Sequence, residues 1–178
     1  MTSGITVRDA VADDLPILLD FLVKLDAHVA GVAPDDLALT TVGEQQLQDR
    51  LLSFVGEAGK RMVVACGADG RPVGMGGIHV WHYADIWLNP ERQGQRSGYI
   101  DDLWIEPEAR GSGVARMISA ALIDYAAEQG IDELILEYAL HNKDTAAFWE
   151  RLGFAPTGVR AAANLSSVRR CLSCGRGD

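Results

Sequence analysis

A glycine-rich turn, Arg110-Gly-Ser-Gly-Val-Ala115, lies between a predicted buried strand over residues 99–105 and a predicted helix. Unpaired backbone N–H groups converge at the start of a helix, where the helix dipole also favours negative charge. Glycine suits such a turn because a Cβ there would obstruct both the turn and a bound phosphate. The turn therefore predicts a site for a phosphate-bearing cofactor.

The apolar residues after the turn repeat at helical spacing. Counted from the first of them, they lie at i, i+3, i+4, i+7, i+8, i+11 and i+12, which puts one apolar stripe against a sheet; they are Val114, Met117, Ile118, Ala121, Leu122, Tyr125 and Ala126. Gly130 ends this helix, and a second strand and helix continue to residue 154. The block 99–154 is therefore expected to position the site.

Two familiar phosphate-binding loops fit this turn badly. A Walker loop requires Gly-Lys-Ser/Thr at the helix entry, whereas Val114 and Ala115 follow Gly113 here, so it is excluded. A dinucleotide-binding fingerprint requires a third small residue three positions after its second glycine, where this chain has Arg116. The fit to that fingerprint is poor.

The pattern Arg110-x-x-Gly113-x-Ala115 resembles the Gln/Arg-x-x-Gly-x-Gly/Ala turn of the GNAT superfamily of acyl-CoA-dependent N-acetyltransferases. Residues 99–111 resemble that family's fourth strand, and Asn142 with residues 147–154 resembles its final helix motif. The resemblance implies an α/β (α+β) fold with a mixed, mostly antiparallel sheet flanked by helices, whose fourth and fifth strands splay apart. It also implies a single domain over residues 1–178.

The resemblance implies an activity as well: direct transfer of an acetyl group from acetyl-CoA to a primary amine, without a covalent enzyme intermediate or a metal. A small cationic amine is the expected acceptor, and a protein lysine or N-terminus is the next. Two alternatives stay open, a non-catalytic acyl-CoA sensor and a nucleotide-binding module. A homodimer is compatible with the resemblance, since dimerisation is common in the family.

Three groups of residues are expected, from the resemblance, to contact acetyl-CoA. The strand edge at Leu103, Trp104 and Ile105 would pair with pantetheine, and a backbone N–H near Leu103 would donate to the oxyanion. The pyrophosphate would lie on the turn residues Arg110, Gly111, Ser112, Gly113, Val114 and Ala115. Asn142 would hydrogen-bond the cofactor, cap the following helix, or do both.

An ammonium acceptor has a pKa of about 10, so a base or a water relay must remove its proton. Asp101 and Asp102 occupy successive strand positions, which predicts that they point to opposite faces and that only one faces a given cleft. Resemblance to members that acetylate polyamines implies Asp101 as the base, directly or through water, and Asp102 as a substrate-orienting or structural carboxylate. His28 is a further substrate-binding candidate, because the family's first two helices border the acceptor pocket.

One position departs from the family pattern. Many members carry a tyrosine where this chain has Trp149, a predicted cofactor contact, and that tyrosine protonates the departing thiolate, which an indole cannot do. The thiolate is therefore expected to leave unassisted or through water, or Tyr138, His141 or Tyr99 takes over the role. The third alternative is a catalytically weak, CoA-responsive binder. The first two together are favoured, because the aspartate pair and the cofactor turn are intact.

Composition limits the classes of partner. The formal net charge of −9 argues against nucleic acid and mildly favours cationic substrates. No apolar run is long enough to span a bilayer and no leader is recognised before Ile5, so no membrane association and a cytoplasmic location are expected. Cys171 and Cys174 lack the second pair of a zinc site and are expected to be free thiols.

The remaining segments are predicted from their local patterns. Strands are expected over residues 5–8, 61–66 and 73–81, with amphipathic helices starting near Asp14 and Thr41. Residues 85–98 are expected to form a long loop, residues 159–163 and 168–172 a terminal hairpin, and residues 173–178 a frayed tail.

Overall fold

The computed structural model describes residues 4–82, 96–139, 141–158 and 163–174. The chain divides into two compact units, Met1–Glu137 and Tyr138–Asp178. That both belong to one domain stays a prediction. None of the helices in the described part of the chain is long and apolar enough to cross a membrane.

The first unit holds a five-stranded sheet and three helices. In chain order its elements are β1 (Thr6–Asp9), α1 (Leu15–Ala30), α2 (Thr41–Gly56), β2 (Lys60–Cys66), β3 (Pro72–His82), β4 (Arg96–Ile105), α3 (Val114–Glu128) and β5 (Glu133–Leu136). The strands lie in the sheet in that same order, and every neighbouring pair is antiparallel except β4 and β5, which are parallel. The predicted α/β class with a mixed, mostly antiparallel sheet is confirmed.

Adjacent glycines on β3 reveal what covers each face of the sheet. A Cβ on Gly76 would lie 2.5 Å from Ile118 Cγ2 on α3, whereas a Cβ on Gly77 would lie 3.2 Å from the ring of Phe54 on α2. Because successive strand residues point to opposite faces, α3 covers one face and α2 covers the other. The β3 glycines make room for this packing.

The core on the α2 face fixes the two N-terminal helices against the sheet. Its members are buried apolar side chains from α1, α2 and three strands, among them Leu18, Phe21, Leu22, Leu51, Phe54, Met62, Met75 and Trp104. Each large apolar side chain buried in this way contributes about 1.5–3 kcal/mol. At the start of α2, the Thr40 hydroxyl accepts a hydrogen bond from the Gly43 N–H at 3.1 Å. This cap and this core hold α2 above the sheet.

The pairing between the parallel strands β4 and β5 ends before β4 does. Their pairing runs from Ser97 opposite Glu133 to Ile100 opposite Leu136, and β4 continues to Ile105 beside β3. This is the predicted splay of the fourth and fifth strands. β4 also begins at Arg96, so the predicted loop over 85–98 is wrong for its last three residues, and residues 83–95 lie outside the described part of the chain.

The second unit contains α4 (Lys143–Arg151) and α5 (Leu165–Cys174). The predicted strand over 168–172 is wrong, because those residues lie in α5, where Leu165, Val168 and Leu172 have helical spacing. The Asn164 side chain accepts from the Ser166 N–H at 2.9 Å and so starts this helix. The helix also includes the first two residues of the predicted frayed tail, and residues 175–178 lie outside the described part of the chain. Cys171 is a free, exposed thiol.

Candidate active site

A bulge in β4 shapes the aspartate pair. The register passes from Gly77 opposite Asp101 to Met75 opposite Trp104, so two β4 residues face the single residue between those glycine and methionine positions. Asp102 adopts a left-handed backbone with φ of 50°, a conformation that costs a residue with a side chain about 1–2 kcal/mol. The extra residue breaks the two-residue alternation of the strand.

Both carboxylates therefore meet the same partner. Nη2 of Arg50, on α2, donates to Asp101 Oδ2 at 3.2 Å and makes a shorter bond to Asp102 Oδ2. The prediction that the two aspartates point to opposite faces is wrong, and the physical reason is the bulge. The Asp101 side chain is 28% exposed and that of Asp102 only 9%.

Arg50 is a site residue that the sequence reasoning missed. Leu47 and Leu51 of α2 belong to the apolar stripe that packs on the core, and Arg50 lies between them. A signal was present, since Arg50 lies three residues after Leu47 and so on the edge of the same stripe. Its two partners, however, are 51 and 52 residues away in the chain.

Burial is the main cause of the raised carboxyl pKa values in this cluster. Burial, together with the neighbouring Asp101, raises the pKa of Asp102 to about 7, although Arg50 acts in the opposite direction. Asp26, on α1, adds to that increase, and burial raises the pKa of Asp26 itself. Two carboxylates thus bond one guanidinium, and the charge of Asp26 acts on Asp102 from α1.

His79, on β3, lies beside the pair. Its Nδ1 is 4.0 Å from Asp101 Oδ2, is buried, and has no hydrogen-bond partner among the described residues. Burial lowers the pKa of His79 despite the attraction of Asp101, so the imidazole is neutral at pH 7. The ring stacks on Tyr99 with centroids 5.1 Å apart.

An aromatic wall continues from this imidazole to the protein surface. The Trp81 ring, in a residue that is 47% exposed, has its centroid 6.2 Å from that of His79 and 6.4 Å from that of Tyr99. The faces of aromatic rings attract cations. An acidic cluster beside an aromatic wall is suited to an organic cation.

His28 lies against the predicted cofactor strand. Its ring meets the indole of Trp104 edge-on with centroids 6.0 Å apart. The Arg110 guanidinium lies 5.0 Å from the same indole and its Nε donates to Ile105 O at 3.1 Å. The Trp104 Nε1 is buried with no partner among the described residues.

Leu103 to Ile105 lie in the part of β4 beyond its pairing with β5, which ends at Ile100.

The glycine turn has the backbone geometry and the free space of an anion site. Gly111 and Gly113 have φ of 74° and 92°, and a Cβ on either would meet no atom within 4 Å. Gly113 is the N-cap of α3 and no side chain caps the helix there, while the Ser112 hydroxyl is turned away to donate to Ala109 O at 2.5 Å. No side chain of the described residues thus occupies the N-terminus of α3 as a cap. Val114 and Ala115 begin the helix with the Val114 side chain in the core, and binding of a pyrophosphate at this turn stays a prediction.

In the second unit, Asn142 is the N-cap of α4, and its Oδ1 accepts from the Thr145 N–H at 3.1 Å. Trp149 is buried and meets Phe148 and Phe154 edge-on, with centroids 4.9 and 5.2 Å apart. The capping role of Asn142 is confirmed, whereas contacts of Asn142 and Trp149 with a cofactor stay predictions.

No group of three or more His, Cys, Asp or Glu side chains in the described ranges is arranged to hold a metal ion.

Residues 28–154 match the acetyltransferase (GNAT) family. The uncharacterised N-acetyltransferase YdgE of Bacillus subtilis is 29% identical over 86 residues, and N-alpha-acetyltransferase 30 of Schizosaccharomyces pombe is 40% identical over 57. These alignments cover 48% and 32% of this chain, which spans 52% and 38% of the two relatives. A structure from Clostridium acetobutylicum, described as a predicted acetyltransferase with acetyl-CoA, is 18% identical and superposes with a TM-score of 0.70 over 92% of this chain and 97% of that one. The chain belongs to the acetyltransferase (GNAT) family.

Proposed function

We propose that this chain transfers an acetyl group from acetyl-CoA to the primary amine of a small cationic acceptor. The observation that carries the proposal is the acidic cluster beside an aromatic wall, in which Asp101 and Asp102 bond the guanidinium of Arg50 and the charge of Asp26 acts on Asp102. Such an excess of carboxylate attracts an ammonium group and can accept its proton.

Asp101 is the carboxylate proposed to meet the acceptor. Its side chain is three times as exposed as that of Asp102, and its bond to Arg50 is the longer of the two. An ammonium group at Asp101 would have the rings of Tyr99 and Trp81 on one side, where cation–π attraction adds about 0.5–1 kcal/mol at exposed sites. The overall net charge of −9 adds long-range attraction for a cation.

The proton of the acceptor passes, in this proposal, to the aspartate pair. Asp101 remains the proposed base because it is accessible, directly or through water. Asp102, whose pKa is about 7, is the second proton-holding group. A base that ionises near neutral pH accepts a proton without being permanently protonated.

The cofactor residues are proposed from the turn and the free strand edge. Acetyl-CoA, when bound, supplies the acetyl group as an activated thioester. The N–H groups of Arg110 to Ala115 would hold its pyrophosphate, the β4 edge at Leu103 to Ile105 would orient pantetheine, and the Leu103 N–H would donate to the oxyanion. Asn142 and Trp149 are proposed as further contacts. Since an indole donates no acidic proton, water or another side chain would protonate the sulfur.

A second candidate acceptor is the N-terminus of a protein. The relative named N-alpha-acetyltransferase 30 is 40% identical over 57 residues, and an N-terminal amine is also a primary amine. Its lower pKa, about 8, would make a lesser demand on the base.

The test is thiol release from acetyl-CoA across polyamines, aminoglycosides, amino acids and peptides with free N-termini. Release that depends on a small cationic amine, and that Asp101→Asn abolishes, supports the proposal, whereas release with peptides alone supports the second candidate. Asp13→Asn is the matched control, because Asp13 is exposed and its loss makes the same change of charge. Binding of acetyl-CoA without release on any acceptor would contradict both.

A further inference from the structure

We infer that Arg50 is a positioning residue, which holds Asp101 and Asp102 on one side of the sheet and sets the protonation of the pair. The inference rests on the proposed function for its kinetic consequence only. Its geometric basis is independent of the acceptor, because one guanidinium nitrogen of α2 bonds both carboxylates of the β4 bulge.

The contact joins β4 to α2, the helix that covers the face of the sheet to which Asp101 points. Asp101 pairs across the sheet with Gly77, which faces α2, and paired residues point to the same side. The bulge adds Asp102 to that side. Arg50 compensates for the left-handed backbone of Asp102 by a charge-assisted bond to a side chain that is only 9% exposed.

The balance of charge around the pair gives Arg50 its influence. The titratable and charged groups that act there are Asp26 on α1, Arg50 on α2, Lys60 at the start of β2, His79 on β3 and the pair itself on β4. Of the two cations, Arg50 is the one bonded to the pair, whereas Lys60 Nζ bonds Ser53 Oγ at 2.9 Å and Glu57 at 2.8 Å.

Without Arg50, burial and two neighbouring carboxylates would act on Asp102 without the opposing guanidinium. Its pKa would rise above about 7, and the pair would hold its proton at pH 7. A guanidinium in contact with a carboxylate typically shifts its pKa by about 1–3 pH units. A merely structural role of Arg50 would not change the titration of the pair in this way.

The test measures carboxyl titration in the free, full-length protein. The protein is labelled with ¹³C at aspartate carboxyls, the Asp102 signal is assigned with Asp102→Asn, and pH titrations are compared for wild type, Arg50→Met and Arg50→Lys. Arg50→Met is expected to move the Asp102 midpoint to higher pH by about 1–3 pH units. Arg50→Lys, which keeps the charge, is expected to stay closer to wild type. Arg50→Gln replaces Arg50→Met if the latter does not fold by circular dichroism.

Arg61→Met is the matched control. Arg61, on β2, also pairs with an aspartate, Asp9 at 2.6 Å, but it contacts α3 through Ala121 O and Tyr125. Its loss is expected to leave the Asp102 midpoint unchanged. A folded Arg50→Met protein with the wild-type midpoint would overturn the inference.

The kinetic arm compares kcat/KM against pH for wild type and Arg50→Met on one common acceptor, so that ionisation of the acceptor cancels. The acid limb is expected to move to higher pH with the carboxyl midpoint, which means a loss of about tenfold or more at pH 7 that is regained at higher pH. An unmoved acid limb would overturn the link to catalysis. If no acceptor is acetylated, the proposed function fails, while the carboxyl titration still decides the role of Arg50.

Discussion

Replacing Asp102 with asparagine should stabilise the protein, and the gain should grow as pH rises. The native pKa of about 7 lies above the ordinary value of 3.8, so the folded chain keeps a proton that the unfolded chain releases between about pH 4 and 7. The free energy of unfolding therefore falls as pH rises through that window and, as far as this group is concerned, is constant above it. Asparagine has no proton to lose and avoids the fall.

The magnitude follows from the two pKa values. At about 1.4 kcal/mol per pH unit, the contribution of Asp102 falls by about 2.5 kcal/mol between pH 5 and pH 8. The stability of Asp102→Asn relative to wild type should rise by that amount over the same interval. For a chain of this size the difference in Tm would grow by about 5–10 °C.

Urea unfolding at pH 5 and pH 8, followed by circular dichroism, measures this change. The comparison between variant and wild type at each pH cancels the titrating groups that lie away from this cluster. Asp13→Asn, which removes an exposed carboxylate, should show no such dependence. An equal stability difference at the two pH values would refute the reasoning, since the cost of ionising Asp102 in the folded state would then be absent.

Two further predictions concern glycines. Gly113→Glu should reduce the affinity for acetyl-CoA at least tenfold in a calorimetric titration, because it brings a carboxylate to the turn. Gly70→Glu, at a similar φ of 78° in the β2–β3 turn with equal free space, should leave the affinity unchanged. Equal affinity of the two variants would mean that acetyl-CoA does not bind at the Gly113 turn. Gly76→Ala should destabilise by about 1–3 kcal/mol because its Cβ would lie 2.5 Å from Ile118 Cγ2. Gly56→Ala, which meets no atom within 4 Å, should be neutral or slightly stabilising in the same urea unfolding experiment.

Features that depend on neighbouring residues were predictable from the sequence. The glycine turn and α3 follow one another directly, so glycine spacing and a helical apolar stripe were sufficient to predict them. The mixed, mostly antiparallel sheet and the splay of its fourth and fifth strands came from the family resemblance. The failed prediction of a C-terminal strand involved a short apolar pattern, Val168 to Leu172, in which helix and strand spacing are hard to tell apart and a capping Asn164 decides the outcome.

The arrangement of the aspartates could not be predicted in the same way. Two adjacent strand residues point to opposite faces unless a bulge intervenes, and neither Asp101 nor Asp102 marks a bulge by its residue type. Gly76 of β3 lies opposite the two bulge residues and leaves room for Ile118, and a strand glycine has the same residue type in either role. Arg50 reaches the pair only after α2 has packed on the sheet.

The bulge and the arginine explain why an ionisable pair can be kept in a partly buried site. Two adjacent carboxylates repel each other, and a left-handed aspartate adds strain. Arg50 offsets part of both costs, yet the pKa of Asp102 stays raised, so the compensation is incomplete. Complete compensation by Arg50 would keep the pair fully ionised and therefore a poor acceptor of protons at neutral pH. Without any compensation, the pair would stay protonated at that pH. A single, partly exposed guanidinium shared by two unequally buried carboxylates gives the intermediate state that proton removal from an amine requires.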